Sequence, residues 1–184
     1  LEAAPLIATA IEKHPSLTTL MVEHNPILDA GAAAIASTLE HNRIKRLSLA
    51  FTGAADGACE MVARAIAAKS PLMDISICGN GVGSEGAENL ARAIGMAGET
   101  GNLQHLRLSA NQRITAAATC ELARNLADSP LRSLELAGTN VNPHACSLFA
   151  ASLPMSRLEV LDLASNHFGC EGAWSLAWSL PDCP

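Results

Sequence analysis

Tyrosine is absent and aromatic residues make up only 3% of the 184 residues. The core must therefore be built from Leu, Ile, Val and Ala, and the surface has few of the rings that anchor tight interfaces. Positive charge is also sparse. Twelve Lys and Arg face eighteen Asp and Glu, a net charge of −6, which argues against nucleic-acid binding by phosphate neutralisation. No apolar run approaches the ~18–20 residues of a membrane helix, because Arg64, Arg92 and Arg124 interrupt the Ala-rich stretches. The six cysteines show no C-x-x-C spacing and the six histidines no H-x-x-x-H or H-E-x-x-H, so no metal site is expected. There is no Asn-X-Ser/Thr site, and the opening Leu1-Glu2-Ala3-Ala4-Pro5 lacks the basic region of a signal peptide. Reduced thiols follow, and with them a cytoplasmic or otherwise intracellular location. At 49% hydrophobic and 16% charged residues, the chain has the composition of one folded domain with a sizeable core.

What is abundant is repetition. Leu72, Ile75, Ile77 and Asn80 read L-x-x-L-x-L-x-x-N. The pattern returns at Leu17/Leu20/Val22/Asn25, Leu103/Leu106/Leu108/Asn111 and Leu158/Leu161/Leu163/Asn166. Two further copies end in Thr, at Ile44/Leu47/Leu49/Thr52 and Leu131/Leu134/Leu136/Thr139. Starts at 17, 44, 72, 103, 131 and 158 give periods of 27–31 residues. In phase behind them come apolar pairs four apart: Ile35/Leu39, Val62/Ile66, Leu90/Ile94, Leu122/Leu126, Phe149/Leu153 and Leu176/Leu180. That spacing places each pair on one helix face. Each unit is then a short strand, a turn and a helix, and stacked units bury what one alone leaves exposed. The turn Asn offers donors and acceptors for a ladder along the stack, a task Thr52 and Thr139 share with one hydroxyl.

These six copies resemble the leucine-rich repeats of the ribonuclease-inhibitor type. The resemblance implies an α/β solenoid, or horseshoe, with parallel strands on the concave face and helices on the convex face. It reads residues 1–184 as one domain of about six repeats, with 1–16 supplying the helix of a partial repeat through Ile7 and Ile11. A start at Leu1 in mid-repeat predicts that the chain is a fragment of a longer protein. Pro181-Asp182-Cys183-Pro184 stops the sixth helix. No capping unit follows in the sequence, so weak end-to-end self-association is expected.

Little in the sequence points to chemistry. Gly81-Val82-Gly83-Ser84-Glu85-Gly86 matches G-x-G-x-x-G, with Glu99 downstream at a suggestive distance, but the repeat already accounts for each residue. Gly95–Asn102 departs from the period and reads as a flexible loop between repeats, or as a contact loop on one rim. His105 has Ser76 and Ser133 on adjacent strands without triad spacing. Cys59, Cys120 and Cys146 read as packed thiols, and Cys183 as the one exposed to cross-linking. No catalytic, cofactor-binding or metal site is expected.

The residues flanking the second Leu of each motif point away from the core, on strands that together span roughly 25 Å. They are Thr19/Met21, Arg46/Ser48, Asp74/Ser76, His105/Arg107, Ser133/Glu135 and Val160/Asp162. This face is the expected site for a protein partner. Two charge patterns fit it: a solvated mixed face in which Asp74 offsets the arginines, or a polarised face that is acidic toward Glu135 and Asp162. Met21 and Phe51 are its few apolar anchors. Trp174 and Trp178, four apart on the last helix, either seal the end of the core or form an end contact. The leading function is a non-catalytic interaction module. The resemblance also admits a GTPase-activating protein, an enzyme inhibitor or a microbial effector repeat domain.

Overall fold

The computed structural model describes residues 3–183. Helix α1 (Ala3–Lys13) precedes six strand–helix units. The strands are β1 (Thr19–Met21), β2 (Arg46–Ser48), β3 (Asp74–Ser76), β4 (His105–Arg107), β5 (Ser133–Glu135) and β6 (Val160–Asp162). The following helices are α2 (Leu28–Ala36), α3 (Asp56–Ala67), α4 (Ser84–Ala97), α5 (Ala116–Arg124), α6 (Pro143–Ser152) and α7 (Gly169–Ser179). The strands form one parallel sheet in the order β1-β2-β3-β4-β5-β6, with their central residues Leu20, Leu47, Ile75, Leu106, Leu134 and Leu161 in register. Consecutive helices pack side by side along the opposite face. This is the α/β leucine-rich-repeat solenoid that the sequence implies.

The three-residue strands hold because each central side chain is covered by neighbours on both sides. Ile75, Leu106 and Leu134 are fully buried, and each contributes roughly 1.5–3 kcal/mol by leaving water. Leu20 and Leu161, at the two edges, are only half-buried. Past the strands the parallel ladder continues through a row of left-handed residues, one per repeat: His24, Phe51, Gly79, Ala110, Gly138 and Ser165. The amides of the first five bond the carbonyl of the next repeat, as in Phe51 N–H to Cys78 at 2.9 Å.

Three turn asparagines, Asn80, Asn111 and Asn166, stitch their repeats to the one before, whereas among the described residues the Asn25 side chain bonds only Val22 and Glu23 of its own turn. Asn80 Oδ1 accepts from the amides of Thr52, Gly53 and Ala54, while its Nδ2 donates to Leu49 and Ile77. Asn111 and Asn166 repeat the pattern. The threonines do not share this task. Thr52 and Thr139 hydroxyls bond only the carbonyls of Leu49 and Leu136, three residues back in their own turns. Asn140 compensates beside Thr139 by donating to Gln112 and Ile114 of the preceding repeat.

The Gly95–Asn102 segment is not a flexible loop. Helix α4 runs to Ala97 and a 3-10 turn spans Gly98–Thr100. Asn102 donates to the carbonyls of Lys69 and Ser70, and Glu99 pairs with Arg157. Glu99 thus lies past the C-terminal end of α4, whose opposite end carries the glycine motif.

Candidate functional site

Strand register decides which polar side chains meet on the concave face. Arg46, Asp74 and His105 lie side by side, and Ser76 lies beside Arg107, which faces Glu135. From this register arises a row of alternating charge across four strands. Arg46 Nε approaches Asp74 Oδ2 at 3.6 Å, Arg107 Nη1 bonds Asp74 Oδ1 at 2.5 Å, and Arg107 Nε bonds Glu135 Oε1 at 3.0 Å. Partial burial disfavours the Arg107 cation, but its hydrogen bond to Asp74 and the charges of Asp74 and Glu135 outweigh this and raise its pKa. Asp162 stands outside the row and accepts from the Ala164 amide.

Not every residue of this face meets water. Ser48, Asp74 and Ser133 are buried, at 8%, 8% and 5% exposure, contrary to the expectation that the whole row is solvated. The residues that stand out are Thr19, Met21, Arg46 and Val160, while Ser76, His105, Arg107, Glu135 and Asp162 are half-buried. The charge pattern follows the mixed reading over β2–β5, since Asp74 and Glu135 are both spent on Arg107. A depression of about 230 Å³ opens between Met21, Glu23, Arg46, Ser48, Asp74 and Arg107. Beside it, Phe51 stacks on His24 with ring centroids 4.7 Å apart. Its ring covers Gly79, where a Cβ would fall 2.2 Å from a ring carbon. A side chain at 79 would have to push this ring aside and adopt a left-handed backbone at φ +62.

The glycine motif is occupied from within. Asp56 Oδ1 accepts from the amides of Gly83 and Gly86 at 2.7 and 3.1 Å, filling the anion position at the start of α4. Asp29 does the same for Ala55, Gly57 and Ala58 at α3. Sequence reasoning missed this capping by the preceding repeat; the signal was an acid 27 or 28 residues ahead of the next helix start, Asp29 before Asp56 and Asp56 before Ser84. Among the described residues, no hydrogen bond joins His105 to Ser76 or Ser133, and no His/Cys/Asp/Glu group suits a metal ion.

The thiols differ from the sequence expectation in one respect. Cys59, Cys120 and Cys146 are buried, but Cys170 is exposed and Cys183 is partly packed against the last repeat. All six are free. Trp174 and Trp178 do not seal the core. They are 66% and 76% exposed, while Gly172 and Leu176 form the inward side of α7. Next to α7, Leu158, Leu161, Leu163, Phe168, Leu176 and Leu180 line an apolar groove of about 360 Å³. Among the described residues no helix is long and apolar enough to cross a membrane.

Comparison with known proteins agrees with this architecture. A family model described as Leucine Rich repeat matches residues 13–36 and 156–177. The chain is 28% identical to the ribonuclease inhibitor of Sus scrofa over 94% of its own length and 45% of that protein's. It is 25% identical to NACHT, LRR and PYD domains-containing protein 2 of Homo sapiens, over 90% of its own length and 18% of the relative's. It thus spans less than half of these relatives. Among solved structures, the actin-binding site 2 of leiomodin-1 aligns over 97% of this chain and 86% of that one, with a TM-score of 0.60 and 18% identity. An internalin from Listeria monocytogenes aligns over 94% of this chain and 48% of that one, with a TM-score of 0.53 and 16% identity. The two structures are alike in fold. Repeat motif, sheet register and sequence relatives agree: the chain is built of leucine-rich repeats and is similar to proteins of the ribonuclease-inhibitor type.

Proposed function

We propose that the chain is a non-catalytic interaction module that holds a protein partner on its concave face. The observation that carries this is the ordered row Arg46–Asp74–Arg107–Glu135, flanked by exposed Met21 and Val160. A fixed row of alternating charge selects partners and orients them more than it adds affinity. The kinship supports the reading, since ribonuclease inhibitor and an actin-binding segment are by name proteins that engage other proteins. The six free thiols suit a reducing compartment. Asp162, outside the row, favours a basic group of the partner at the C-terminal end of the sheet.

The test is a pull-down from source-cell lysate, comparing the chain with an Arg46→Glu/Asp162→Arg double variant. Arg46 is exposed and Asp162 half-buried, and the melting temperature of the variant checks that the fold is kept. A partner held by the first and lost by the second supports the concave face. Partners held by both place recognition elsewhere, and the exposed Trp174/Trp178 pair on α7 is then the favoured end contact.

A further inference from the structure

We infer that the outward face of α7, built around Trp174 and Trp178, is a second docking surface, and that it takes an amphipathic helix of a protein partner with Lys or Arg beside its apolar stripe. The surface lies on the helix side of the solenoid, so it stands independently of the concave-face reading.

The repeat itself shows that this face is unusual. Phe168, Gly172 and Leu176 turn inward from α7. Cys170, Ala173, Trp174, Ala177 and Trp178 follow the spacing of a second apolar stripe, and all five are exposed. Counting back by repeats sets Trp174 and Trp178 level with Glu60 and Arg64 on α3, Glu88 and Arg92 on α4, and Ser147 and Ala151 on α6. Those side chains stay exposed or half-buried although the next helix is stacked beside them. On α5 the two positions hold Cys120, small and buried, and the exposed Arg124. A further repeat stacked on α7 would therefore leave both tryptophans in water. Large rings where other helices carry charged or small residues serve no stacking of repeats, and a partner from outside the stack accounts for them.

The shape of the face selects a helix. Ala173 and Ala177 form a row of small residues beside the Trp174/Trp178 ridge, with Cys170 at the end of the same shallow hollow. The equivalent rows Cys59/Ala63, Ala87/Ala91 and Cys146/Ala150 are buried. The next helix packs on them: a Cβ on Gly86 would stand 3.0 Å from the Cys59 Cβ, and one on Gly172 would stand 3.1 Å from the Cys146 Cβ. A groove of small residues beside a ridge of large ones is what a helix fills.

Charge selects what that helix carries. His144 and Glu171 are the only acidic or basic side chains on α6 and α7. Glu171 is exposed and three residues ahead of Trp174, and its carboxylate has no ionic or hydrogen-bond partner among the described residues. Residues 158–184 contain no Lys or Arg. A Lys or Arg of the partner thus meets Glu171 and the ring faces with no Lys or Arg on either helix to repel it. An anionic membrane surface would find no basic residue here to hold it.

The probes are two blocked amphipathic helical peptides, one built of Leu, Ala and Lys and the other with Glu in place of each Lys. Trp174 and Trp178 are the only tryptophans of the chain, so their emission reports on the face directly. A saturable blue shift is expected with the Lys peptide. By anisotropy of fluorescein-labelled peptides, affinity falls at least about tenfold for the Glu peptide, and likewise for the Lys peptide on a Trp174→Ala/Trp178→Ala variant. Met96→Ser, which removes an exposed apolar side chain of α4, leaves binding unchanged. Undiminished affinity of the tryptophan variant, equal binding of the two peptides, or no blue shift with the Lys peptide overturns the proposal. So does a blue shift with phosphatidylcholine vesicles in place of the peptide, which assigns the face to a bilayer. Self-association of the parent chain that the tryptophan variant loses in sedimentation equilibrium assigns it to a second copy, and overturns the proposal as well.

Discussion

The carboxylate of Asp56 reaches across to the next repeat and accepts the Gly86 amide at 3.1 Å, at a point where a Cβ on Gly86 would stand 2.5 Å from the same oxygen. The contact is made by two repeats jointly, and each partner sets the residue type of the other. An acid at 56 supplies the helix cap that α4 lacks in its own sequence, and the absent side chain at 86 leaves room for it.

Asp56→Ala is therefore expected to behave like loss of a helix cap, lowering unfolding stability by about 1–2 kcal/mol. Gly86→Ala, ordinarily a gain in a helix, is expected to destabilise here, because the new methyl expels the carboxylate. Urea unfolding of the two single variants and the double checks both. If the alanines at 56 and 86 prove additive, the two residues do not share one contact.

The row on the sheet predicts unequal costs for its two arginines. Arg46→Ala removes one long, exposed contact and costs under about 0.5 kcal/mol. Arg107→Ala leaves the buried Asp74 with only that long contact and costs roughly 2 kcal/mol. Denaturant midpoints of the two variants give the ordering directly, and equal midpoints would contradict it.

Much of this architecture is legible in the residues. Leu72, Ile75, Ile77 and Asn80 announce strand, core and turn because an internal repeat has no alternative way to bury them. The polar face is legible only by position. That Asp74 is buried and Arg46 exposed depends on which side chains lie over them from neighbouring strands. The inter-repeat caps escape a residue-by-residue reading for the same reason: Asp29 and Asp56 act on helices one repeat away. Thr52 and Thr139 mislead because a hydroxyl satisfies itself on its own turn before it reaches the next.

Ser70 is buried, and its hydroxyl finds no partner among the described residues. An unpaired buried hydroxyl carries a desolvation cost without a compensating bond. Ser70→Ala is accordingly expected to be neutral or stabilising, by up to about 1 kcal/mol, with the melting temperature as the readout. A loss of stability beyond measurement error would mean that the hydroxyl is bonded in solution.

Thiol chemistry should divide by burial. Burial raises Cys146 to about 11 and lifts Cys59 above its ordinary value, with the nearby Asp56 and Asp29 charges adding to the second shift. Alkylation of the native chain at pH 8, read by mass spectrometry, is expected to label exposed Cys170 first and to spare Cys59 and Cys146. The linked effect on stability has a defined sign. A thiol whose folded pKa exceeds its unfolded value of 9.0 holds its contribution below pH 9 and loses it as the pH climbs toward about 11. The urea midpoint should then fall across that interval, and by less in a Cys146→Ala variant than in the parent.

Both edges of the sheet carry apolar surface. Met21 is 58% exposed on β1, and the groove of about 360 Å³ beside β6 is lined by Leu161, Leu163 and Leu180, the last 58% exposed. Edge strands with unspent backbone groups and an apolar flank invite pairing with another chain. Weak, reversible association of copies is expected at high concentration, with the β1 edge of one meeting the β6 edge of the next so that the stacking of repeats continues across the contact. Leu180→Glu places a charge in the groove without touching the interior, and sedimentation equilibrium should then show a strict monomer of unchanged melting temperature. Association that persists in Leu180→Glu would move the contact away from the groove, and a parent chain that stays monomeric at the highest concentrations would remove it altogether.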